Sequence, residues 1–554
     1  MRLLPPIPRA LLSACVLLLS VLSGCKDAPA PGPSPDASTQ TPGEDSGTDA
    51  GTVVTWDGGY TALEEHGDWE DRGRFAPCTF DSQGNPSSVS CEDLARYDLS
   101  QCDADALASV ESFGIYGADV RAETRLADGG TRISGISVGF KLEADGGGTL
   151  SGTPFRNRIM DGGTFFLSTA RTGPLPGTTL TALAGCKVPS PGIITGCYAR
   201  CRDGRFTQSG TFEAHRIPWA GGEPESSGGM RLLSESPVLL GEAVDVYVTK
   251  NHAYVVSLPA RGIDGGLTVF DVTDREHPIF KASISLPGDN YWNGVWAKGD
   301  ALYVASSATG VVVFDISNPG APEFVRTVPG TGDFGAHTVL VDGDRLYAMS
   351  AYDPLLVFDV SHPLQPVLRQ TISPPPDGNS APHDAFAYEG RLYVSNSFGG
   401  YAVLDVTDLD NVRFLGQYVH GNYAHNSAVG TFAGRTIAFE GAESAGAHVR
   451  VLDVTDPAHI VKMGEFKMRP VTSVHNILLK GTRLYVAWYQ EGVRVLDVSI
   501  PPQPRQVAHF NTFRETHPEA TDTIGAGTFG IRVPDDGYVY AADSLRGLLI
   551  FNEP

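Results

Sequence analysis

Four histidines recur at equivalent places in the C-terminal part of the chain. A neutral imidazole is a common ligand of transition metals such as Zn, Cu, Fe and Ni. If the fold brings these side chains together, they form a metal site, and Zn or Cu is the expected ion. The four candidate ligands lie in the motifs GAHTV, APHDA, YAHNS and SVHNI, and they are His337, His383, His425 and His475.

The spacing around these histidines indicates the elements that position them. Three of them stand ten residues before the Tyr of an LYV-type strand, as in His337 and Tyr347. An apolar phrase ending in Asp then follows, and it first appears as LTVFDVTD from Leu267. Its Asp residues are spaced by 44, 44, 46, 48 and 44 residues, and Asn552 follows 55 residues after the last. A period in the forties predicts a repeat architecture.

Each period contains four short apolar segments separated by Pro- and Gly-containing turns, which indicates four antiparallel strands and therefore one propeller blade. Seven such blades account for residues 229–554, and the segment SPVLLGE (236–242) is predicted to close the ring against the C-terminal strand. The first strand of every blade lines the central channel. The four histidines should therefore face one another near one mouth of that channel.

The repeated phrase resembles the LVIVD-repeat propellers, a bacterial group often found on lipoproteins and surface proteins. The resemblance covers the six full copies and departs from the pattern in having Phe or Leu before the Asp, and Asn552 in the last place. It implies an all-β, seven-bladed propeller. It implies little about chemistry, because most such proteins are known only as repeat proteins.

The mouth with the histidines is also predicted to carry the longest loops. Insertions occur in residues 257–266, 439–448 and 511–530, and the last contains Glu515 and His517. Loop elaboration on one face typically marks a binding surface. The residues expected on this ligand-binding face are Trp292, Asn293, Asp384, Asn426, Glu440, Asn476, Trp488, His517 and Asp543.

A structural role for the repeated polar residues is the alternative to a metal site. A recurring His in a propeller can lock one blade to the next by a hydrogen bond, and the Asp that closes each phrase can cap the following turn. Both interpretations of the histidines fit the sequence.

The N-terminal 55 residues carry the features of an export signal and a tether. Arg2 and Arg9 precede an apolar run, and the sequence LSGC resembles a bacterial lipobox, so residues 1–24 are predicted to be a lipoprotein signal peptide and Cys25 the lipidated residue. An ordinary secretory signal is the alternative. Residues 25–55 have almost no large apolar side chains and are predicted to be a flexible tether. The residue after Cys25 is Lys26 and not the Asp that is associated with retention in the inner membrane of some bacteria. This favours a location of the protein in the outer membrane or at the cell surface.

Residues 56–228 form a predicted accessory domain that is mainly β, with one short helix in CEDLARYDL or DADALASVESF. In an exported chain an even number of cysteines favours disulfides, here three, with fifteen connectivities open. Metal ligation by Cys197 and Cys201 is the alternative. The six cysteines are Cys78, Cys91, Cys102, Cys186, Cys197 and Cys201.

Charge and motifs narrow the function. A net charge of -23 opposes binding to nucleic acid. The chain has no nucleophile elbow, phosphate-binding loop, HExxH or calcium loop, so its sequence does not decide whether it is an enzyme. The first hypothesis is a lipid-anchored surface protein whose propeller binds a protein, peptide or glycan. The alternatives are a metal-dependent oxidase or hydrolase that uses the histidines, and a structural spacer.

Overall fold

The computed structural model describes residues 56–84, 89–172, 177–217, 223–330, 334–350, 354–375 and 381–554. The predicted signal peptide, Cys25 and the tether lie outside the described residues. None of the helical segments that the structure describes has the length and apolar character needed to span a bilayer.

Seven antiparallel sheets form the C-terminal part of the chain, which confirms the predicted seven-bladed propeller. We number the blades in chain order. Blade 1 comprises Glu242–Thr249, His252–Leu258, Gly266–Asp271 and Ile279–Ile284. Blade 2 comprises Trp292–Lys298, Ala301–Ser306, Gly310–Asp315 and Glu323–Val328. Blade 3 comprises Thr338–Asp342, Arg345–Met349, Leu355–Asp359 and Val367–Ile372. Blade 4 comprises Asp384–Tyr388, Arg391–Ser395, Tyr401–Asp405 and Arg413–Tyr418, with a 3-10 turn at Leu409–Asn411. Blade 5 comprises Ala424–Phe432, Arg435–Ala442, Val449–Asp453 and Val461–Phe466, with a 3-10 turn at Pro457–His459.

The last two blades each take a strand from before the first blade. Blade 6 comprises Ile477–Lys480, Arg483–Ala487, Val493–Asp497 and Arg505–Phe510, with Ser226–Ser227 as a fifth strand; blade 7 comprises Thr528–Arg532, Tyr538–Asp543, Gly547–Asn552 and Leu232–Ser236. The ring is thus closed as expected, but the closing strand is Leu232–Ser236 and not residues 236–242. Pro237 has no N–H to donate to a ladder, and Gly241 turns the chain at φ 43 into blade 1.

The repeated phrase performs the same structural task in each blade. Its apolar residues are buried between neighbouring blades, and its Asp accepts a hydrogen bond from the backbone N–H two residues later. The Oδ1 atom of Asp271 lies 3.0 Å from the Thr273 nitrogen, and the Oδ1 atom of Asp315 lies 2.7 Å from the Ser317 nitrogen. These Asp residues therefore cap the following turns, as the sequence predicted.

The region before the propeller is mainly β, as predicted, and is built on a nine-stranded antiparallel sheet. In spatial order its strands are Thr153–Pro154, Gly148–Leu150, Thr131–Leu142, Gly114–Arg125, Arg205–Ile217, Ile193–Arg202, Thr178–Ser190, Phe166–Thr172 and Asn157–Ile159. A two-stranded sheet (Thr79–Phe80 and Tyr97–Asp98), a 3-10 turn (Leu94–Arg96) and one helix (Ala104–Leu107) lie before it in the chain.

Three disulfides tie the segment before the nine-stranded sheet to strands of that sheet. The pairs are Cys78–Cys197, Cys91–Cys201 and Cys102–Cys186. Five of the six cysteines belong to one buried apolar cluster with Tyr97 and Phe166, and Cys102 packs against it. The prediction of three disulfides is confirmed, and the alternative of a metal site at Cys197 and Cys201 is wrong because both sulfurs are in disulfide bonds. Such disulfides are typical of exported proteins.

Two buried arginines of the propeller form ion pairs with acidic residues in the segments that flank the nine-stranded sheet. In blade 5, Arg450 is fully buried and its Nε atom lies 2.9 Å from Glu65, while its Nη2 atom lies 2.7 Å from Asp68. In blade 6, Arg494 is also fully buried, and its Nη1 atom lies 2.8 Å from Glu223. Buried charges of this kind persist only when they are paired, so these contacts fasten the N-terminal region to blades 5 and 6.

Candidate functional site

The structure brings the four predicted histidines together in an arc at the channel mouth. The ring centroids of His337 and His383 are 4.2 Å apart, those of His383 and His425 are 4.4 Å apart, and those of His425 and His475 are 4.2 Å apart. Each residue lies at the start of the innermost strand of its blade, in blades 3 to 6. The repeat therefore places successive imidazoles side by side.

Hydrogen bonds from these rings also connect neighbouring blades. The Nδ1 atom of His475 donates to the Phe529 carbonyl at 2.7 Å, and the Nδ1 atom of His383 donates to the His425 carbonyl at 3.3 Å. The Nε2 atom of His337 accepts from the Asn293 amide at 3.1 Å. A role in connecting neighbouring blades is thus supported for His337, His383 and His475. Each of these hydrogen bonds uses one ring nitrogen and leaves the other nitrogen of the same ring for another partner.

Burial keeps all four imidazoles neutral near pH 7. Burial, followed by the nearby His475, lowers the pKa of His337 to about 4. Burial and the neighbouring imidazoles hold the pKa of His383 and of His425 well below its usual range. Burial also lowers the pKa of His475, although the carboxylate of Glu443 acts in the opposite direction. Neutral imidazoles carry a lone pair that can accept a proton, a hydrogen bond or a metal ion.

Two residues on the connections between second and third strands complete this cluster. Glu443 follows the second strand of blade 5, and its Oε2 atom lies 3.7 Å from the Nε2 atom of His425. Tyr489, from the same connection in blade 6, donates a hydrogen bond to the Oε1 atom of Glu443 and packs on His475 with ring centroids 4.7 Å apart. Tyr489 has φ 33, a backbone conformation that non-glycine residues rarely adopt.

His383, His425 and His475 line a channel cavity of about 400 Å³ that has both polar and apolar side chains in its wall. Asp384 and Asn426 face it, and the Asn426 amide donates to Asp384 at 2.6 Å. Burial raises the pKa of Asp384 to about 6, and the nearby Asp245 acts in the same direction. Asn293 and Asn476 line the same cavity. Four of the residues predicted for the ligand-binding face therefore lie in the channel.

Four other residues predicted for that face are not accessible. Trp292 and Trp488 are fully buried between blades, because strand alternation directs Trp292 at the neighbouring blade and Trp488 packs there from a connecting loop of blade 6. Glu440 is fully buried against His420, with Oε1 and Nε2 atoms 3.1 Å apart. Asp543 is 1% exposed and caps the turn that contains Leu545. These placements correct the sequence-based prediction.

The loop that contains His517 packs against the nine-stranded sheet. Arg216 of the sheet holds the Glu515 carboxylate at 2.7 Å, and Asp522 accepts from the Gly152 nitrogen at 2.9 Å. A Cβ atom at Gly139 would lie 1.6 Å from the Asp522 carbonyl oxygen, so only glycine permits this close approach. The longest insertion of the propeller thus serves contacts within the chain, and only part of His517 is exposed there.

A row of aromatic rings leads from solvent to the histidines on the other side of the mouth. Phe398, on the connection between the second and third strands of blade 4, is 45% exposed. Its ring centroid lies 5.2 Å from that of Tyr423, which in turn lies 5.2 Å from that of His383. Phe398, Tyr423, Glu443 and Tyr489 were not among the site residues predicted from the sequence. Their position on the connections that emerge at the mouth was the available signal.

The family comparison agrees with the repeat seen in the structure. The model of the LVIVD repeat matches residues 240–285, 291–329 and 473–512. The chain therefore contains LVIVD repeats. The three matched stretches fall in blades 1, 2 and 6 of the LVIVD propeller, and the remaining blades share the phrase and the strand order.

Several solved structures are similar to part of this chain at low sequence identity. The computationally designed Ika8 protein is 12% identical with a TM-score of 0.41, and the match covers 58% of this chain and 99% of that one. The WD40 β-propeller domain of Doa1 is 13% identical with a TM-score of 0.44, covering 59% and 98%. The structure of U3-55K is 11% identical with a TM-score of 0.44, covering 58% and 98%. No curated protein matches the chain.

Proposed function

We propose that the protein is an exported, lipid-anchored binding protein that holds a glycan at the channel mouth of its propeller. The observation that carries this proposal is the row of rings from Phe398 through Tyr423 to His383, which ends at a cavity that contains asparagine and aspartate side chains. Exposed aromatic rings offer an apolar face, and the asparagines and carboxylates below offer hydrogen bonds to hydroxyl groups. A peptide is the alternative partner.

The covered and open parts of the mouth support this assignment. The N-terminal sheet contacts the loop around His517 on one side of the channel mouth. A partner would therefore bind at the other side of the mouth, which blades 2 to 4 form. On that side Phe398 and Val419 are 45% and 54% exposed. Apolar side chains left exposed on functional loops, next to a concave polar site, are typical of a binding surface.

Replacing Phe398 with Ala should weaken glycan binding about tenfold, which corresponds to roughly 1.4 kcal/mol, the upper range for an aromatic contact. The measurement is a glycan-array screen of the purified protein, followed by calorimetric titration of the best ligand. Phe414→Ala is the matched control, because Phe414 is 48% exposed on the outer strand of the same blade. The proposal fails if no glycan binds, or if the two variants lose affinity equally.

The lipid anchor is a separate part of the proposal. Replacing Cys25 with Ser should abolish incorporation of a clickable fatty acid and move the protein from the detergent phase to the aqueous phase of a phase-separating detergent. Cys15→Ser is the control, since Cys15 lies within the apolar run and should leave lipidation intact. Retention of the label by Cys25→Ser would show that the chain uses an ordinary secretory signal.

A further inference from the structure

We propose that His383, His425 and Glu443 bind a divalent transition-metal ion at the channel mouth. The possible ligand atoms of these three residues all lie within 4.8 Å of one another. Two imidazoles and one carboxylate are a common donor set for transition metals, including Zn²⁺. This inference does not depend on glycan binding, because the ion can be measured with no glycan present.

One pair of candidate ligand atoms, from His425 and Glu443, requires little movement to close around an ion. The Nε2 atom of His425 and the Oε2 atom of Glu443 are 3.7 Å apart. Two ligands that each lie 2.0–2.2 Å from a tetrahedral ion are about 3.4 Å apart. A small rotation of the Glu443 side chain is enough to reach that separation, because Glu443 stands on a connecting loop and a third of its side chain is exposed.

A backbone carbonyl fixes the orientation of the first imidazole. The Nδ1 atom of His383 lies 3.3 Å from the His425 carbonyl oxygen, which can only accept a hydrogen bond. The proton of this ring is therefore on Nδ1, and the lone pair of Nε2 is free. Metal-binding histidines are typically held in this way, with the other ring nitrogen donating to a carbonyl or carboxylate.

The carboxylate is held by a second residue in an unusual conformation. The hydroxyl of Tyr489 donates to the Oε1 atom of Glu443, which leaves Oε2 facing His425. Tyr489 is 1% exposed and keeps φ at 33, a conformation that carries a steric cost for a bulky side chain. Such costs persist where the surroundings demand a particular geometry, and here that geometry orients a candidate ligand.

The neighbouring imidazoles are excluded from this ligand set, which revises the predicted site of four histidines. The Nε2 lone pair of His337 already accepts the hydrogen bond from Asn293. His475 packs on Tyr489 and does not belong to the group of atoms within 4.8 Å of one another. His383 and His425 are 4% and 3% exposed and line the channel cavity, while a third of the Glu443 side chain is exposed.

The test uses untagged protein stripped of metal and then titrated with Zn²⁺ and, separately, with Co²⁺. Wild-type protein should bind a single equivalent, and Co²⁺ should give visible ligand-field absorption that reports nitrogen and oxygen ligands. Glu443→Gln keeps the shape of the side chain and should weaken binding at least tenfold, while His425→Ala should abolish stoichiometric binding. His337→Ala is the matched control and should change affinity by less than about twofold.

Each outcome of this test decides the proposal. Absence of binding by the wild type at about 1 mM metal, far above the affinity of a protein site, would overturn it. Equal losses in His337→Ala and His425→Ala, or unchanged affinity in Glu443→Gln, would also overturn it. If His425→Ala fails to fold, Glu443→Gln carries the decision. A failed metal titration leaves glycan binding intact, and a failed glycan screen leaves the metal result intact.

Discussion

Replacing Arg450 with Met should lower the free energy of unfolding by about 3–5 kcal/mol, the cost of leaving buried charges without their partner. The substitution keeps an apolar stem of similar length and removes only the guanidinium. Glu65 and Asp68 would then remain beside blade 5 with less compensation, since Asp68 is 2% exposed and Lys462 reaches Glu65 only at 3.4 Å. Chemical denaturation measures the loss.

A local readout can show that the loss begins where the N-terminal segment docks. The Leu63 N–H donates to the Lys462 carbonyl at 2.8 Å, so its hydrogen exchange reports whether the segment stays on blade 5. In Arg450→Met this amide should exchange faster than the amides of blades 1 to 3. Arg413→Met is the control, because Arg413 is 62% exposed in its pair with Asp405. Equal effects of the two substitutions would contradict the prediction.

The repeat explains why so much of the propeller could be predicted. The same strand pattern recurs in six copies of one phrase. The number of blades, and the location of His337, His383, His425 and His475 at the starts of innermost strands, therefore followed from spacing alone. Within a blade, the alternation of side chains was harder to assign. Trp292 adjoins a channel residue in sequence but points at the neighbouring blade, and Trp488 does the same from its connecting loop.

The sequence contains a signal for the docking of the N-terminal region that was not among the predictions. Arg450 and Arg494 occupy the second position of VRVLD, where the other phrases have Thr268, Val312, Leu356 and Ala402. An arginine in an otherwise apolar, buried strand requires a buried acid. Its partners could not be identified, because Glu65, Asp68 and Glu223 lie in irregular segments far away in the chain. The same distance hid the contact of Arg216 with Glu515.

Acid should release the N-terminal region from blades 5 and 6. Burial opposes ionisation of Glu65, but hydrogen bonds and charge from Arg450, with Lys462, lower its pKa to about 2. For Glu223, Arg494 and Arg469 likewise outweigh burial and lower the pKa to about 2. In the unfolded chain the pKa of both glutamates is near its ordinary value of 4.5. Their stabilisation is therefore present above pH 4.5 and is lost as the pH falls towards 2.

At pH 3 each of these two carboxylates should have lost roughly 2 kcal/mol of its stabilising contribution. Asp384 has the opposite effect on stability. Its pKa is raised to about 6 in the folded protein, so its protonation below pH 6 stabilises the folded channel. Exchange of the Leu63 amide should therefore accelerate between pH 4.5 and 3, relative to the intrinsic rate, while the amides of blades 3 and 4 stay protected.

The double variant Glu65→Gln and Glu223→Gln separates this titration from general acid unfolding. It should show fast Leu63 exchange already at pH 7, with little further change between pH 4.5 and 3, because the two carboxylates expected to respond in this range have been removed. Glu276→Gln and Glu323→Gln together are the control, since both residues are exposed on the outer parts of blades 1 and 2. If the wild type and the double variant respond to acid alike, the two buried arginines do not hold the N-terminal region through these carboxylates.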